Sequence, residues 1–540
     1  MFDFVIEGGP PEDDVTVWSK LPLQALAPGV LTPFSYSVLS EIVDRAWHQY
    51  YDRLGFKSAP GTRTVRQWQG RAYVNLSAAV RLEASCAGVT PMALRLNGEL
   101  HPLATLEKPS LLGGLKNGRN QKKIDALLDA TDQGIGETAR EAYYWMVKTQ
   151  EMRWTQADTL QVMEEIERVG VDSMLAYYAA RHNLELLYNR LIRATLETVG
   201  YPAALPLING ALCDLDDLVE TEIAAALMSL CERSSADDAV AAWLKQDSFD
   251  NWRARAPNST LAEGLTEFIG TYGHRVVGEA EIARPRWYED PTPVMHGLLG
   301  CLLRQAKPPI RTPSSQSRQR LLDALDAAQV KGSEAVIQQL RRLHHLQSHA
   351  LHALAYIWAG TREWAKAAAH EAAHDGRLQE EDEVFFFQLE EIKQMMTGEW
   401  NVSDLSDIHA TAAERKRQVE AWRELHTPPV LVGDRAARFT GEGLPGVSGL
   451  ATGPLRRLPE QRTEGCKGAI LGVEYLDSGW ALALPAAKGF VAAGGTPADP
   501  FVAAARAWHR PTVIGLGEAY YGLVEGAQTT VDGDAATVEQ

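Results

Sequence analysis

Apolar residues spaced three and four positions apart dominate the middle of this chain, from about residue 120 to about residue 430. The segments 139–147, 177–196 and 335–369 show the pattern, and they are rich in Ala, Leu, Glu, Arg and Gln. This spacing places apolar side chains on one face of a helix, and that face is buried against a neighbour. The pattern predicts a large helical domain with an apolar core.

Composition limits the partners and the compartment. The 540 residues carry a net charge of −17 and no basic tract, so we expect neither nucleic acid nor a membrane surface as a partner. No apolar run has the length of a membrane span, and the first residues lack the features of a secretory signal. The 5 cysteines are scattered without a C-x-x-C pair, which is typical of a reducing compartment. We therefore expect a cytoplasmic protein.

Between residues 272 and 291 the helical pattern gives way to charged residues, glycines and prolines. Gly273, Gly278, Pro285 and Pro291 argue against one continuous helix and predict a loop. Loops that carry His, Arg and Glu on a rigid scaffold often hold catalytic residues. A solvated charged loop would have the same composition, so the residues alone leave both interpretations open.

Short motifs of the helical region resemble one known family. Tyr-Gly-His-Arg at 272–275 and Pro-Arg-Trp-x-Glu-Asp-Pro at 285–291 resemble the central substrate-binding domain of rifampicin phosphotransferases and phosphoenolpyruvate synthase-like proteins. A Gly-Arg-x-Tyr-x-Asn stretch within 70–77 fits the same family, and its alternation predicts a short strand. A Pro-Gly-x-x-Thr-Pro turn also fits this family, and it leads into a helix that Ser35 or Ser37 would cap.

The composition changes again beyond residue 443, where Gly, Ala and Val become more frequent and the helical spacing fades. Residues 443–454, 477–480 and 486–491 resemble the swivelling phosphohistidine domain of the same family, a small α/β unit that carries phosphate between sites. The resemblance implies an α+β, mostly α-helical fold. The predicted parts are a leader at 1–17, a large helical substrate-binding-like domain at 18–430, a linker at 431–442 and a small α/β swivelling-type domain at 443–540.

The phosphate carrier of that family is missing from the C-terminal domain. In the family, a histidine in a Gly-Gly-x-x-Ser-His motif is the nucleophile that takes up phosphate. Alignment on Arg506 and Pro511 places Asp499 at the serine position and Pro500 at the histidine position. A proline ring has no nucleophilic atom, and no loop with Walker spacing occurs in the sequence. Because only 17 residues precede Trp18, we also expect no ATP-binding domain, a degenerate phosphohistidine-like domain and no phosphotransfer.

The first functional hypothesis is an enzyme of specialised metabolism that acts on a bulky apolar small molecule. The loop would supply His274 as general acid/base with Glu279 or Glu281 as its partner, because a histidine between carboxylates is tunable near neutral pH. Arginines of the loop would bind an anionic group, and a tryptophan would pack on the substrate. These substrate-binding candidates are Arg275, Arg284, Arg286 and Trp287.

Two other hypotheses remain open. Asp216, Asp217 and Glu220 lie at predicted helical spacing and would hold Mg²⁺ in a diphosphate-ionising lyase of terpene-synthase type. The helix dipole alone also favours acidic residues at such a helix start. The third hypothesis is a non-catalytic protein that binds a hydrophobic small-molecule ligand. We assign no cofactor outside the Mg²⁺ alternative.

Four histidines lie close together in one predicted helix, and His345, His349 and His352 share a face. Two histidines four apart can bind zinc, but no Glu stands inside the pair as the H-E-x-x-H pattern of metallohydrolases requires. We expect a partly exposed helix face from which one histidine lines the ligand cavity.

Overall fold

The computed structural model describes residues 16–83, 111–151, 156–200, 203–234, 238–246, 249–304, 314–397, 405–436, 443–458 and 467–540. The described chain forms a large helical domain and a smaller C-terminal domain around a mixed sheet, which confirms the predicted α+β, mostly helical fold. The helices of the large domain are α1 (Pro33–Leu54), α2 (Leu76–Glu83), α3 (Leu111–Glu151), α4 (Gln156–Val199), α5 (Ala204–Gly210), α6 (Val219–Ser234), α7 (Asp238–Trp243), α8 (Trp252–Arg255), α9 (Ser259–Tyr272), α10 (Thr292–Arg304), α11 (Ser315–Ala327), α12 (Ser333–His374), α13 (Leu389–Thr397) and α14 (Leu405–Arg423).

The long helices α3, α4 and α12 pack side by side and form the centre of the helical domain. Their apolar faces meet in one continuous core, as the spacing of apolar residues predicts. Gly360 of α12 marks a close approach, since a Cβ atom there would collide with the ring of Trp145 from α3. The absence of a side chain therefore lets the two helices meet. Over the ranges described, no helix combines the length and apolar composition needed to cross a membrane.

A five-stranded antiparallel sheet joins the two ends of the helical domain. Its order is β2 (Val65–Trp68), β3 (Arg71–Asn75), β1 (Val17–Ser19), β4 (Val430–Val432) and β5 (Arg435–Ala436). Strand β3 confirms the strand predicted within 70–77. Because β1 pairs with β4 and β4 with β5, this sheet includes Val17 of the predicted leader and residues 431–436 of the predicted linker. Residues 1–15 of that leader and residues 437–442 of that linker lie outside the described ranges.

Helix α1 is capped by Thr32, not by Ser35 or Ser37 as predicted. The Thr32 Oγ1 accepts a hydrogen bond from the Ser35 backbone N–H, and Pro33 occupies the first turn. Proline suits this position because its amide has no hydrogen to leave unpaired and its φ angle is already helical. The Ser37 hydroxyl instead donates to the Phe34 carbonyl at 2.8 Å.

The C-terminal domain is built on a seven-stranded mixed sheet in the order β12-β11-β7-β8-β9-β10-β6. The strands β7 to β10 run parallel, and β6, β11 and β12 add antiparallel edges. Helix α15 makes the crossover from β9 to β10 that parallel strands require. The elements are β6 (Leu444–Val447), β7 (Leu450–Arg457), β8 (Ile470–Val473), β9 (Gly489–Ala492), α15 (Pro500–Ala507), β10 (Thr512–Ile514), α16 (Glu518–Tyr521), β11 (Gln528–Asp532) and β12 (Thr537–Glu539).

The C-terminal domain packs on the helical domain through α15 and a 3-10 helix at Ser478–Ala483. These two elements contact α6, α10 and α12. At Gly479 a Cβ atom would lie 2.6 Å from the carbonyl oxygen of Val276 and 2.6 Å from the amide nitrogen of Val277. The C-terminal domain therefore lies directly on the charged loop that follows α9.

Replacing Gly479 with Ala should destabilise the protein, because the added methyl group would press on loop backbone that cannot move aside as a side chain can. Overpacking of this kind costs about 1–3 kcal/mol. Gly270→Ala is the matched control, since no atom lies within 4 Å of its Cβ position. Alanine should stabilise that helical site by about 0.5–1 kcal/mol. Denaturant unfolding of the two variants should shift in opposite directions, and a neutral Gly479→Ala would contradict the close approach.

Candidate active site

The charged loop between α9 and α10 is buried in the protein, so the interpretation as a solvated loop is wrong. Its backbone turns without a helix, as predicted, after α9 has started from an Asn258 cap. Six side chains of the loop are no more than 5% exposed: His274, Arg275, Glu279, Glu281, Arg286 and Trp287. Arg284 is exposed, and it donates to the Val277 carbonyl at 3.0 Å. The loop therefore brings together most of the predicted site residues but leaves Arg284 apart.

The centre of the loop is a buried ion pair between Arg275 and Glu279. Burying an ion costs several kcal/mol unless a partner and hydrogen bonds compensate. Arg275 Nη1 also lies 3.2 Å from His352 Nδ1, and Arg286 Nη2 donates to the Glu279 carbonyl oxygen at 2.9 Å. Burial raises the pKa of Glu279, and the positive charges of Arg275 and Arg286 oppose that shift. Both carboxylate oxygens of Glu279 lack a well-directed hydrogen bond, so they keep acceptor capacity beyond the ion pair.

His274 is a neutral histidine held in an aromatic stack. Its ring lies 4.0 Å from the ring of Tyr356, nearly parallel at 25°, and 4.9 Å from the ring of His352. Burial lowers the pKa of His274 well below its ordinary value, and the charges of His352, Arg275 and Arg286 lower it further. Its Nε2 atom is buried without a hydrogen-bond partner. A neutral imidazole offers one donor and one acceptor nitrogen, so His274 is able to exchange a proton with a bound molecule.

Two acids from other elements meet the loop where the C-terminal domain covers it. Glu220 of α6 accepts 2.6 Å hydrogen bonds from the hydroxyls of Ser348 and Ser478. Asp477 accepts hydrogen bonds from the backbone N–H groups of Gly278 and Gly479 at 2.8 and 2.9 Å. Burial raises the pKa of Asp477 to about 7, and the neighbouring Glu279 charge adds to the effect. This carboxyl is a titratable group at the contact between the two domains.

The predicted metal-binding trio does not form one site. Helix α6 begins only at Val219, so Asp216 and Asp217 precede it and the spacing rule for a helix face does not apply. Both are exposed, whereas Glu220 is fully buried and hydrogen-bonded to two serines. Within the described ranges, no group of three or more His, Cys, Asp or Glu side chains has the arrangement of a metal site. The expectation that the three carboxylates share a face is therefore corrected.

Glu281 and Trp287 take structural positions. The Glu281 carboxylate accepts hydrogen bonds from the Thr32 amide at 2.7 Å, from the Thr32 hydroxyl at 2.9 Å and from the Ser35 hydroxyl at 2.9 Å. It thereby ties the loop to the first turn of α1. The Trp287 ring is fully buried in the main core and packs near the ring of Phe268. Glu279, and not Glu281, is therefore the carboxylate that accompanies His274 and Arg275.

A series of aromatic rings leads from the surface to His274. Tyr144 is 63% exposed and contacts Tyr143, which is 43% exposed. Tyr143 in turn lies edge-on to Tyr356 at 5.4 Å, and Tyr356 stacks on His274. Half-buried His345, His349 and His352 confirm the partly exposed histidine face predicted for α12. The exposed ends of this series, Tyr143 and Tyr144, offer aromatic surface on which a flat apolar molecule would pack.

An open cleft of about 450 Å³ lies beside the end of the loop. Its lining includes Trp252 and Arg253 of α8 and Tyr288 and Glu289 of the loop. The Glu289 carboxylate is held by Arg362 at 2.7 Å, so it is already paired. The cleft has the size of a small-molecule site, although its rim is largely polar.

Sequence reasoning missed a second buried polar cluster at the same domain contact. Pro500 is the first residue of α15, and Asp499 precedes it as the N-cap residue. The Asp499 carboxylate forms a buried ion pair with Arg181 of α4. The two residues are 318 positions apart, so no local pattern connects them. The one available signal was an acid at the position where the resemblance expects a serine.

This combination of a helical domain with a mixed-sheet α/β domain docked on its charged loop corresponds to two family models. Residues 173–367 match the model of the rifampicin phosphotransferase fourth domain. Residues 465–536 match the model of the PEP-utilising enzyme mobile domain. The two matches support a relation of this chain to the rifampicin phosphotransferase/PEP-utilising family. The first match includes the loop, and the second includes α15.

Curated relatives support this assignment. The chain is 26% identical over 332 residues to the rifampicin phosphotransferase of Streptomyces sviceus, with 55% of this chain and 36% of the relative covered. It is 22% identical to the Bacillus subtilis rifampicin phosphotransferase, with 55% and 36% covered. It is 21% identical to the Bacillus cereus protein of the same name, with 59% and 40% covered. The matched region thus spans less than half the length of each relative.

The raised pKa of Asp477 predicts that the free energy of unfolding decreases as the pH rises from about 4 to about 7. An unfolded aspartate ionises near pH 3.9, whereas Asp477 stays protonated in the folded protein until about pH 7. A folded-state pKa above the unfolded value contributes stability at low pH that is lost as the pH rises through the folded value. Asp477→Asn should remove up to about 4 kcal/mol of this pH dependence. Urea unfolding between pH 4 and 8, with exposed Glu424→Gln as the control, would measure it, and parallel curves for wild type and Asp477→Asn would contradict it.

Glu281→Gln should destabilise the protein by about 3 kcal/mol, because its NH2 group would face a backbone N–H in either orientation, that of Thr32 or that of Ala283, and the charge would be lost from the remaining hydrogen bonds. Glu41→Gln is the matched control, since Glu41 pairs with the exposed Arg45 on the surface of α1. That control should cost less than about 1 kcal/mol. Chemical denaturation of the two variants would measure the difference, and equal costs would show that Glu281 is not a structural anchor.

Proposed function

We propose that this chain is a phosphotransfer-deficient relative of the rifampicin phosphotransferases that acts on a bulky apolar small molecule in specialised metabolism. Its chemistry would be acid–base catalysis by His274, with the Arg275–Glu279 pair behind it. The observation that carries the proposal is the buried His274, whose pKa is lowered, whose ring stacks on Tyr356 and whose Nε2 atom has no hydrogen-bond partner. General acid–base catalysis needs such a group within reach of the proton that moves.

Loss of phosphotransfer follows from the residue that heads α15. The resemblance expects a phosphate-accepting histidine at position 500, and proline offers no atom that forms a bond to phosphorus. The preceding Asp499 is committed to Arg181, so it does not replace the missing nucleophile as a free carboxylate. The segment 494–506 contains no histidine.

The residues of the loop divide into chemical and structural roles under this proposal. His274 would accept or donate the proton, and the positive charge of Arg275 would keep the imidazole neutral between turnovers. Glu279 would orient Arg275 and compensate its charge when substrate binds. Arg286 would hold the Glu279 backbone in place, which makes it a positioning residue.

A non-catalytic binder is the second candidate, and the cleft of about 450 Å³ beside Tyr288 favours it. A ligand held there would touch the loop without reaching the buried His274. The Mg²⁺-dependent lyase has less support, because Asp216 and Asp217 are exposed while Glu220 is saturated by two serine hydroxyls.

A labelling experiment tests the loss of phosphotransfer. The purified chain should take no acid-labile phosphate from radiolabelled ATP or phosphoenolpyruvate, with or without rifampicin. The Bacillus subtilis rifampicin phosphotransferase serves as the positive control. Phosphohistidine on the wild-type chain would contradict the proposal and the alignment at Pro500.

A thermal-shift series separates the functions, because a ligand that binds only the folded state raises the melting temperature. Rifampicin, as a bulky apolar probe, should stabilise the chain without metal. Stabilisation only by geranyl diphosphate together with Mg²⁺ would favour the lyase. His274→Gln should leave probe binding unchanged. For a substrate found by screening, the same variant should reduce turnover by at least about a hundredfold, which is the scale of acid–base catalysis. Unchanged turnover would remove His274 from the mechanism and leave the binder.

A further inference from the structure

We propose that Arg181 and Asp499 form an interdomain latch that fixes the C-terminal domain in its docked position on the helical domain. In this chain the domain that resembles a swivelling carrier would be a permanent cover over the charged loop. The inference rests on contacts at α4 and α15 and does not depend on the chemistry proposed for His274.

The geometry of the latch is that of a closed network. Arg181 Nη1 pairs with Asp499 Oδ1, and Arg181 Nη2 donates to the Thr496 hydroxyl at 3.0 Å. Asp499 Oδ2 in turn accepts from the Thr496 backbone N–H at 2.7 Å. On the other side, Arg181 Nε donates to Glu185 at 2.7 Å. The guanidinium thus uses its three nitrogens on partners from both domains.

Neighbouring residues of the helical domain reinforce the same contact. With the Gln347 amide oriented to satisfy both neighbours, its nitrogen donates to the Ala498 carbonyl at 2.9 Å and its oxygen accepts from Arg181 at 3.3 Å. The Asn209 amide donates to the Pro445 carbonyl at 3.0 Å. Three helices, α4, α5 and α12, therefore hold the backbone of the C-terminal domain next to α15.

Burial makes this pair costly to open. The side chains of Arg181, Asp499 and Glu185 are 3%, 1% and 4% exposed. Burial disfavours the charged guanidinium, but the charges of Asp499 and Glu185 raise the pKa of Arg181 well above its ordinary value. Arg181 therefore keeps its positive charge in this buried position. Undocking would break a matched pair and remove Asp499 and Thr496 from the partners of Arg181.

The position of Asp499 explains why the latch acts on the whole domain. Asp499 precedes α15, which lies between β9 and β10 in the parallel centre of the sheet. Phe501 of α15 packs against Phe490 of β9, and both side chains are fully buried. The latch therefore acts on a helix that is packed on the sheet and not on a surface loop.

Hydrogen–deuterium exchange on the full chain tests the proposal. In the wild type, amides of the two docked faces, 177–190 and 496–507, should be as protected as the cores of the two domains. Asp499→Ala should raise exchange at both faces about a hundredfold or more, the ratio expected when a buried charge pair loses one partner. The hairpin of β11 and β12 should stay protected, because it lies at the far edge of the sheet. Glu525→Gln, which removes an exposed ion pair with Arg456, is the control and should change nothing.

A double-mutant cycle separates the latch from a general loss of folding. Asp499→Ala in an Arg181→Ala background should add no further exchange, because the partner is already gone. Asp499→Asn, which keeps the size and an acceptor atom, should fall between wild type and Asp499→Ala. The proposal would be overturned by additive effects in the cycle. It would also be overturned if, in the wild type, the amides of the docked faces exchanged faster than those of both cores. The same holds if Asp499→Ala had the melting temperature of the wild type and unchanged exchange at both faces.

Discussion

The ion pair between Arg275 and Glu279 is the constraint on which the rest of the site depends. A guanidinium and a carboxylate are stable in an apolar core only when each compensates the other and further polar groups surround them. The loop meets this condition by turning back on itself, so that residues four positions apart face one another. Burial lowers the pKa of His274, and the positive charge of Arg275 adds to this effect because a second cation close to it would be repelled. The electrostatics of the fold and the chemistry proposed for the site therefore have one origin.

The contact between the two domains follows the same rule at three points. Glu220 accepts hydrogen bonds from two hydroxyls, Asp477 accepts them from two backbone amides and has a raised pKa, and Asp499 pairs with Arg181. Each carboxyl of this group is buried, and each has donors that it would exchange for water on undocking. A contact built from charges in this way has a definite register, because a shift of either surface would leave charges without partners. It also places the 3-10 helix of the C-terminal domain on the loop backbone, where only the glycine at 479 fits.

Much of the fold could be predicted from the sequence because its signals are local. The helical spacing of apolar residues predicts α3, α4 and α12, and the alternation within 70–77 predicts β3. The turn of the charged loop follows from its glycines and prolines. What the sequence did not disclose depends on distant partners. Glu281 has its ligands at Thr32 and Ser35, Asp499 has its partner at Arg181, and β4 pairs with β1 across almost the whole helical domain. A charged loop that is solvated and one that is buried have the same composition, and only the neighbouring helices decide between them.

The central claim is that the charged loop is a buried and internally paired element. The protonation state of His274 is its most direct test. Carbon-13 NMR of histidine-labelled protein, with His274→Gln to assign the resonance, would follow the imidazole through a pH titration. We expect His274 to stay neutral through the pH range around 6.5 in which an ordinary histidine gains its proton. A His274 that gains its proton near pH 6.5 would contradict burial of the loop and the electrostatic coupling to Arg275.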